Sequence, residues 1–137
     1  METITLDLPL PPKELHPNAR KHWRKRAEHT KKHRRFVGEL VAVQLLERLH
    51  KRPRWEAAAI EVHAYLPTAH RHDQDNLLAW LKCTIDGCTD AGLFSDDREL
   101  AYLPSVQTTD KKRPRIEIKA VRGRIKNIQL EMEDNDL

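Results

Sequence analysis

The stretch AAAIEVHAYLP, residues 57–67, decides the fold because its apolar side chains recur at every second position. That alternation predicts a β-strand with Ile60, Val62 and Ala64 on one face and charged or aromatic side chains on the other. Such a strand packs one face against the hydrophobic core and leaves the other in contact with water. We therefore expect helices on one side of the sheet to which this strand belongs.

The segments before this strand predict another strand and a long helix. TITLDL, residues 3–8, alternates like a strand, and the prolines of LPLPP end it. Residues 19–50 contain no proline and a single glycine, so they predict one long helix or two abutting ones. Trp23, near the start of that helix, is interpreted as a core anchor, with stacking on an unpaired base as the alternative.

The segments after the strand predict a helix followed by further strands. The helix runs from near Asp73 to about Asp90, AGLFSDDREL (91–100) follows as a turn, and ELAYLPSVQTT (99–109) is a strand interrupted by Pro104. RPRIEIKAV (113–121) predicts a strand that forms a hairpin with it, and IKNIQLEME (125–133) a last strand or short helix. This order predicts one α+β domain over residues 1–137, with helices packed on one face of a mixed sheet.

The composition is typical of a small cytoplasmic domain. Of 137 residues, 39% are hydrophobic and 34% charged, and the apolar runs are too short to span a bilayer. The start METITLDLPLPP has no basic region followed by an apolar segment, so secretion is not predicted. Cys83 and Cys88 are expected to be reduced, part-buried thiols rather than a disulfide or a zinc site.

Basic residues are concentrated in two segments. Residues 20–54 hold thirteen Lys or Arg against three acids, and residues 111–126 hold eight against one. A solvated helix face explains one such run, but two runs of the same sign favour an anionic partner, and nucleic-acid phosphate is the natural candidate. The residues predicted to contact DNA are Arg20, Arg24, Lys25, Arg26, Lys31, Lys32, Arg71, Lys111, Lys112 and Arg113.

Acidic residues collect between the two basic segments. In RHDQDNLLAWLK (71–82), Asp73 and Asp75 lie where a strand gives way to a helix, and Asp96 and Asp97 form a second pair. Acids at the start of a helix can simply cap it. Several carboxylates within 25 residues also suit a hard cation, because Mg²⁺ takes oxygen ligands. Both interpretations remain open from the residues alone.

Lys82 is the basic residue nearest to these acids on the predicted helix. It follows Asp75 by seven residues, so it would lie on the same face roughly 10 Å along the axis and could lean back toward the acids. The alternative is an ion pair with Asp86, four residues on. His70 and His72 invite a zinc interpretation, but phosphate contact or solvent exposure is favoured for them.

The stretch RHDQDNLLAWLKCTIDGCTDAGLFSDD, residues 71–97, resembles the signature of the RusA-type Holliday junction resolvases: D-x-D-N-L, a lysine, an acid, A-G and D-D. LDLPLPPKELHPNARKHWRK (6–25) is similar to that family's opening. The resemblance implies a RusA-like fold, metal-binding acids at Asp73, Asp75 and Asp97 with Asp96 as a neighbour or alternate ligand, and a catalytic lysine at Lys82. Relative to the family pattern, about three extra residues stand between Asn76 and Asp86, so a count forward from Asp75 puts Ala79 at the lysine's place.

The resemblance also implies an activity and partners. These are Mg²⁺-dependent resolution of four-way DNA junctions by paired nicks, with Mn²⁺ as an alternative metal, in a homodimer whose two-fold symmetry matches that of the junction. Two other functions remain open: a basic nucleic-acid-binding protein without catalytic activity, and a metal-dependent nuclease that acts on flaps, forks or other branched DNA.

Overall fold

The computed structural model describes residues 2–19 and 23–129. In chain order, its strands and helices include β1 Thr3–Leu8, α1 Trp23–Leu49, β2 Trp55–Leu66, α2 Gln74–Trp80, α3 Lys82–Asp90, β3 Phe94–Tyr102, β4 Val106–Thr109 and β5 Arg115–Arg122. A 3-10 turn, Lys13–Leu15, precedes α1, and residues 125–129 are helical. The end of IKNIQLEME, after residue 129, lies outside the described residues.

The strands form one open mixed sheet in the order β1, β5, β2, β3, with β4 also paired to β2. β5 is antiparallel to both β1 and β2, whereas β3 and β4 run parallel to β2 along its other edge. β2 is therefore the central strand, and the prediction of a mixed sheet is confirmed.

One face of the sheet packs on the core. Ile60, Val62 and Ala64 of β2 are buried, as predicted, and so are alternate residues of β1 and β5. Val37, Val41 and Leu45 of α1 join the same core cluster. A half-buried sheet must be covered on its apolar side, and α1 does so here. The prediction of one domain of mixed α and β content is confirmed.

The predicted hairpin between β4 and β5 is wrong. Tyr65 of β2 pairs with Arg115 of β5 on one side and with Thr108 of β4 on the other, so β2 lies between the two strands. Residues 110–114 cross the end of β2 instead of turning directly back. The carboxylate of Asp110 accepts the backbone N–H groups of Lys112 (3.2 Å) and Arg113 (3.0 Å), which stabilises this crossing turn.

The helix predicted from Asp73 to Asp90 is divided at Leu81, where the backbone reaches φ −88° and ψ 1°. Trp80 and Leu81 are consecutive and both buried, and the Trp80 indole N–H donates to the carbonyl of Pro12 at 2.9 Å. α3 ends at Asp90, and Gly92 follows it with a φ of +92°, a conformation that favours glycine. The N–H of Gly92 donates to the carbonyl of Thr89, and the N–H of Leu93 donates to the carbonyl of Cys88.

α1 and α3 pack closely. A Cβ atom on Gly87 would stand 2.9 Å from the carbonyl oxygen of Arg34 and 2.9 Å from Val37 Cγ1, so the crossing requires a glycine there. Cys83 and Cys88 of α3 are free and buried, and burial raises the pKa of Cys83 to about 11 and that of Cys88 to about 12. The two thiols form no disulfide and are buried, rather than part-buried as predicted. None of the helices in the described part of the chain is long and apolar enough to cross a membrane.

Candidate functional site

The turn that carries Asp73 is fixed to the edge of the sheet. The side-chain amide of Gln107, on β4, accepts the backbone N–H of His72 at 2.9 Å and donates to the carbonyl of His72 at 2.8 Å. On the other side of Asp73, the Gln74 side chain accepts the backbone N–H of Ser105 at 3.2 Å. β4 and the residue before it therefore hold the backbone on both sides of Asp73, whose own side chain is exposed.

Helix capping does not account for Asp73. The residue occupies the N-cap position of α2, with φ −60° and ψ 148°, but its side chain makes no capping hydrogen bond. Asp75 lies in the first turn of the same helix and is exposed. The helix N-terminus lowers the cost of placing two carboxylates there, although α2 has only seven residues.

Asp96 and Asp97 lie in a bulge of β3, so the prediction of a turn over residues 91–100 is wrong for most of that stretch. Trp55 pairs with Phe94, but Ala57 already pairs with Glu99, so four residues of β3 stand opposite one residue of β2. Such a bulge redirects side chains away from the regular strand pattern, and both aspartates are exposed. Arg98 ties the bulge to α3 by donating to Asp86 (3.3 Å) and to the carbonyl of Asp96 (3.4 Å).

These four aspartates differ from the others in the described residues. Each aspartate elsewhere in residues 2–19 and 23–129 forms an ion pair with an arginine: Asp7 with Arg113, Asp86 with Arg98, Asp90 with Arg34 and Asp110 with Arg115. Over the same residues, the carboxylates of Asp73, Asp75, Asp96 and Asp97 accept no side-chain or backbone hydrogen bond and form no ion pair. In a chain with a net charge of +4, four carboxylates left without a cation are available to a ligand.

The four aspartates form two pairs rather than one group. The bulge lies beside Glu56 of β2, and Gln107, which holds the Asp73 turn, pairs with Ala64. Eight residues of β2 separate these two levels, roughly 25 Å along a strand. Accordingly, within residues 2–19 and 23–129 no three or more His, Cys, Asp or Glu side chains form a group that could hold a metal ion.

Lys82 is the first residue of α3 and is exposed. It lines a cleft of about 240 Å³ between α1 and the helices α2 and α3, together with Arg26, Thr30 and Asp86, and Asp75 does not line it. Lys82 forms no ion pair with Asp86, whose carboxylate binds Arg98 at 3.3 Å instead.

A cluster of aromatic rings beside Asp73 could not be found from the sequence. His16 Nε2 lies 3.1 Å from His72 Nδ1, and the Trp80 ring packs on both imidazoles. His70 meets His72 edge-on at 5.2 Å. Burial, together with the nearby His16 and His70, lowers the pKa of His72. His16 and His72 are 56 residues apart, so no local pattern signals their contact.

The residues predicted to contact DNA have several different environments. Arg26 donates to the carbonyls of Leu15 and His16, Arg71 to Thr68, His70 and Thr109, and Arg113 to Asp7, so these three hold the fold together. Arg24 lies over the ring of Trp23, which is 67% exposed, so the prediction of Trp23 as a core anchor is wrong. Arg20 lies outside the described residues. The remaining five residues of the predicted DNA-contact set are the lysines Lys25, Lys31, Lys32, Lys111 and Lys112.

Comparison with known proteins gives one informative likeness. No family model matches the chain. The chain is 34% identical over 111 residues to an uncharacterized protein of Xylella fastidiosa (strain Temecula1 / ATCC 700964), over 75% of this chain and 66% of that protein. The chain therefore spans slightly less than two thirds of that relative's length. Its description names no activity, so the functional proposal depends on the chemistry of the residues.

Proposed function

We propose that this protein is a Mg²⁺-dependent endonuclease of the RusA type that resolves four-way DNA junctions by paired symmetric nicks. One observation carries the proposal. The four aspartates of the D-x-D-N and D-D motifs are the unpaired ones, whereas each other aspartate in the described part of the chain binds an arginine. Carboxylates kept exposed and free of cations suit a ligand with positive charge.

Asp73 and Asp75 fit a hard cation by their chemistry. Mg²⁺ usually keeps several waters and is bound by one or two carboxylates together with substrate phosphate, so the pair at the start of α2 suffices for its protein ligands. The resemblance assigns Asp97, with Asp96 beside it, to the same cation, but the bulge of β3 lies roughly 25 Å along β2 from the Asp73 turn, so in this arrangement only Asp73 and Asp75 would hold it. When bound, Mg²⁺, or Mn²⁺ in its place, would neutralise phosphodiester charge and lower the pKa of a bound water.

The other residues of the proposal act on the DNA. Lys82 stabilises the charge that develops on phosphorus or the leaving oxygen, because the Asp86 carboxylate beside it is already bound to Arg98 and leaves the ammonium group available. Lys25 and Lys31 of α1, together with Lys111 and Lys112, contact phosphates, which positions the DNA without reading its sequence. A homodimer supplies two equivalent sites for two symmetric nicks.

The test is cleavage of labelled four-way junction, replication fork, flap, duplex and single strand, each with and without Mg²⁺. We expect Mg²⁺-dependent paired nicks in the junction by the wild-type protein. Asp75→Asn should abolish them, while the same substitution at Asp90, which already binds Arg34, should leave them intact. Binding without cleavage by the wild type would favour the non-catalytic nucleic-acid-binding protein. Preferred cleavage of flaps or forks would favour a nuclease for other branched DNA.

A further inference from the structure

α1 carries apolar side chains on two opposite faces. Val37, Val41 and Leu45 are fully buried against the core. On the outer face, Phe36 is 50% exposed, Val43 54% and Leu46 50%, and these are three of the six large exposed hydrophobic residues in the described chain. At about 100° per residue, the outer three fall within an arc of about 80°. Glu39 lies within the same arc and binds Arg35, so the stripe is apolar apart from one ion pair, and such a stripe favours an interaction surface over a solvated helix face.

The charges beside the stripe are self-complementary. Lys32 lies four residues before Phe36, and Glu47 lies four residues after Val43. Both are exposed and neither forms an ion pair with a described residue, whereas Arg35 and Glu39 already bind each other at 3.4 Å. The basic flank thus lies at one end of the stripe and the acidic flank at the other.

An antiparallel arrangement of two copies of α1 satisfies both features at once. If the two-fold axis passes midway between Glu39 and Leu40, Phe36 faces Val43 of the second copy, since each lies equally far from that midpoint. The same axis brings Lys32 to the level of Glu47 of the second copy. Isologous contacts repeat each pair twice, so one axis produces two apolar contacts and two ion pairs.

We propose that the outer face of α1 is a homodimer interface in which Phe36, Val43 and Leu46 pack against the same residues of a second copy, with Lys32 paired to Glu47 across the two-fold axis. This inference names the surface for the homodimer that the proposed function expects. It assigns Lys32 to protein contact instead of DNA contact. It does not depend on nuclease activity, because assembly is measured without DNA.

The first test is sedimentation velocity of the full chain over concentrations of about 1 to 100 μM. We expect the wild type to be a dimer and Phe36→Glu to be a monomer with an unchanged circular dichroism spectrum. The matched control is Val106→Glu, which places the same charge at an exposed apolar residue of β4, 45% exposed, and should remain dimeric. A monomeric wild type, or a dimeric Phe36→Glu protein, would overturn the proposal.

The second test exchanges the charges and is insensitive to folding defects. Lys32→Glu alone and Glu47→Lys alone each place like charges together twice, so each should weaken dimerisation at least about tenfold. An equimolar mixture of the two variants restores opposite charges at both contacts of the heterodimer and leaves the like-charged homodimers disfavoured, so the mixture should associate more tightly than either variant alone. Failure of the mixture to associate more tightly would place the interface elsewhere, whatever the result of the cleavage assay.

Discussion

Polar side chains are paired where α1 packs on α3, whereas they are unpaired in the acidic turn before α2. Between the two helices, buried His33 meets Thr84 at 3.3 Å, and Arg34 binds both carboxylate oxygens of Asp90, at 2.6 and 2.8 Å. In the turn and the β3 bulge, the motif aspartates are exposed and unpaired. A paired group contributes to stability, whereas an exposed unpaired carboxylate contributes little to it. Substitutions in the two regions should therefore separate stability from activity.

The largest expected effect is on cleavage, from Asp75→Asn. Removing a charge that binds the metal should reduce the cleavage rate by about a thousandfold or more, while junction affinity stays within a few-fold of the wild type. The free energy of unfolding should change by less than about 0.5 kcal/mol, because the Asp75 carboxylate makes no intramolecular bond. Single-turnover cleavage, filter binding and urea unfolding measure the three quantities.

Asp90→Asn is the contrasting substitution in the paired region. It should cost about 0.5 to 1 kcal/mol of stability, because it breaks a two-bond pair that is nearly half exposed, and it should leave cleavage unchanged. If Asp75→Asn retained cleavage and reduced stability instead, the acids would have a capping role and the contrast between the two regions would disappear.

Lys82→Ala should have the next largest effect. If the ammonium group stabilises charge in the transition state, the cleavage rate should fall by about a hundredfold with the Mg²⁺ dependence unchanged. Arg26→Ala is the comparison from the same cleft, since its guanidinium donates to backbone carbonyls and its removal should lower stability more than the cleavage rate. Normal turnover of Lys82→Ala would leave the lysine as a surface residue of the cleft.

Local patterns predicted those parts of the fold that depend on neighbours in sequence. The alternation in residues 57–67 identified the half-buried central strand, and the lack of proline in 19–50 identified α1. The side of β2 on which β5 would pair could not be predicted, because turn residues at 109–113 suit a crossing as well as a hairpin. The hydrogen bond from Trp80 to the carbonyl of Pro12, 68 residues away, leaves no local signal either.

The candidate site was predictable to a similar extent. The motif identified the four aspartates, but their separation into two pairs follows from the bulge after Phe94 and from Gln107 holding His72, neither of which leaves a local signal. The contact between His16 and His72 likewise leaves no local signal in the sequence. Long-range pairing therefore determines which motif residues meet, and the sequence pattern determines which residues are involved.

The lysines of α1 are expected to affect affinity rather than rate. Changing Lys25 and Lys31 together to Gln should weaken binding to junction and duplex alike, because each neutralises DNA phosphate without reading sequence. The slope of log affinity against log salt should become shallower by about 0.9 for each phosphate that the variant no longer neutralises. Cleavage at saturating protein should persist.

The control for the lysine variant changes Lys13 and Lys51 to Gln, because both lie outside the predicted DNA set. It should leave the salt slope unchanged. Parallel slopes for the wild type and both variants would show that this part of α1 is a solvated face.

The smallest expected effect is a pH dependence of stability in the paired region. Burial between α1 and α3 lowers the pKa of His33, so around the ordinary histidine pKa of about 6.5 the unfolded chain binds more protons than the folded one. Stability should therefore rise with pH through that range, and it should decrease as the pH falls below it, because the unfolded chain then gains a proton that the buried imidazole resists.

For one group the slope cannot exceed about 1.4 kcal/mol per pH unit. His33→Leu should make the slope shallower, whatever it does to stability at about pH 8. Thermal unfolding of the two proteins between about pH 5 and pH 8 measures the slopes. Equal slopes for wild type and His33→Leu would mean that the imidazole is not held neutral by its burial, and the contrast with the exposed aspartates would then depend on Arg34 and Asp90 alone.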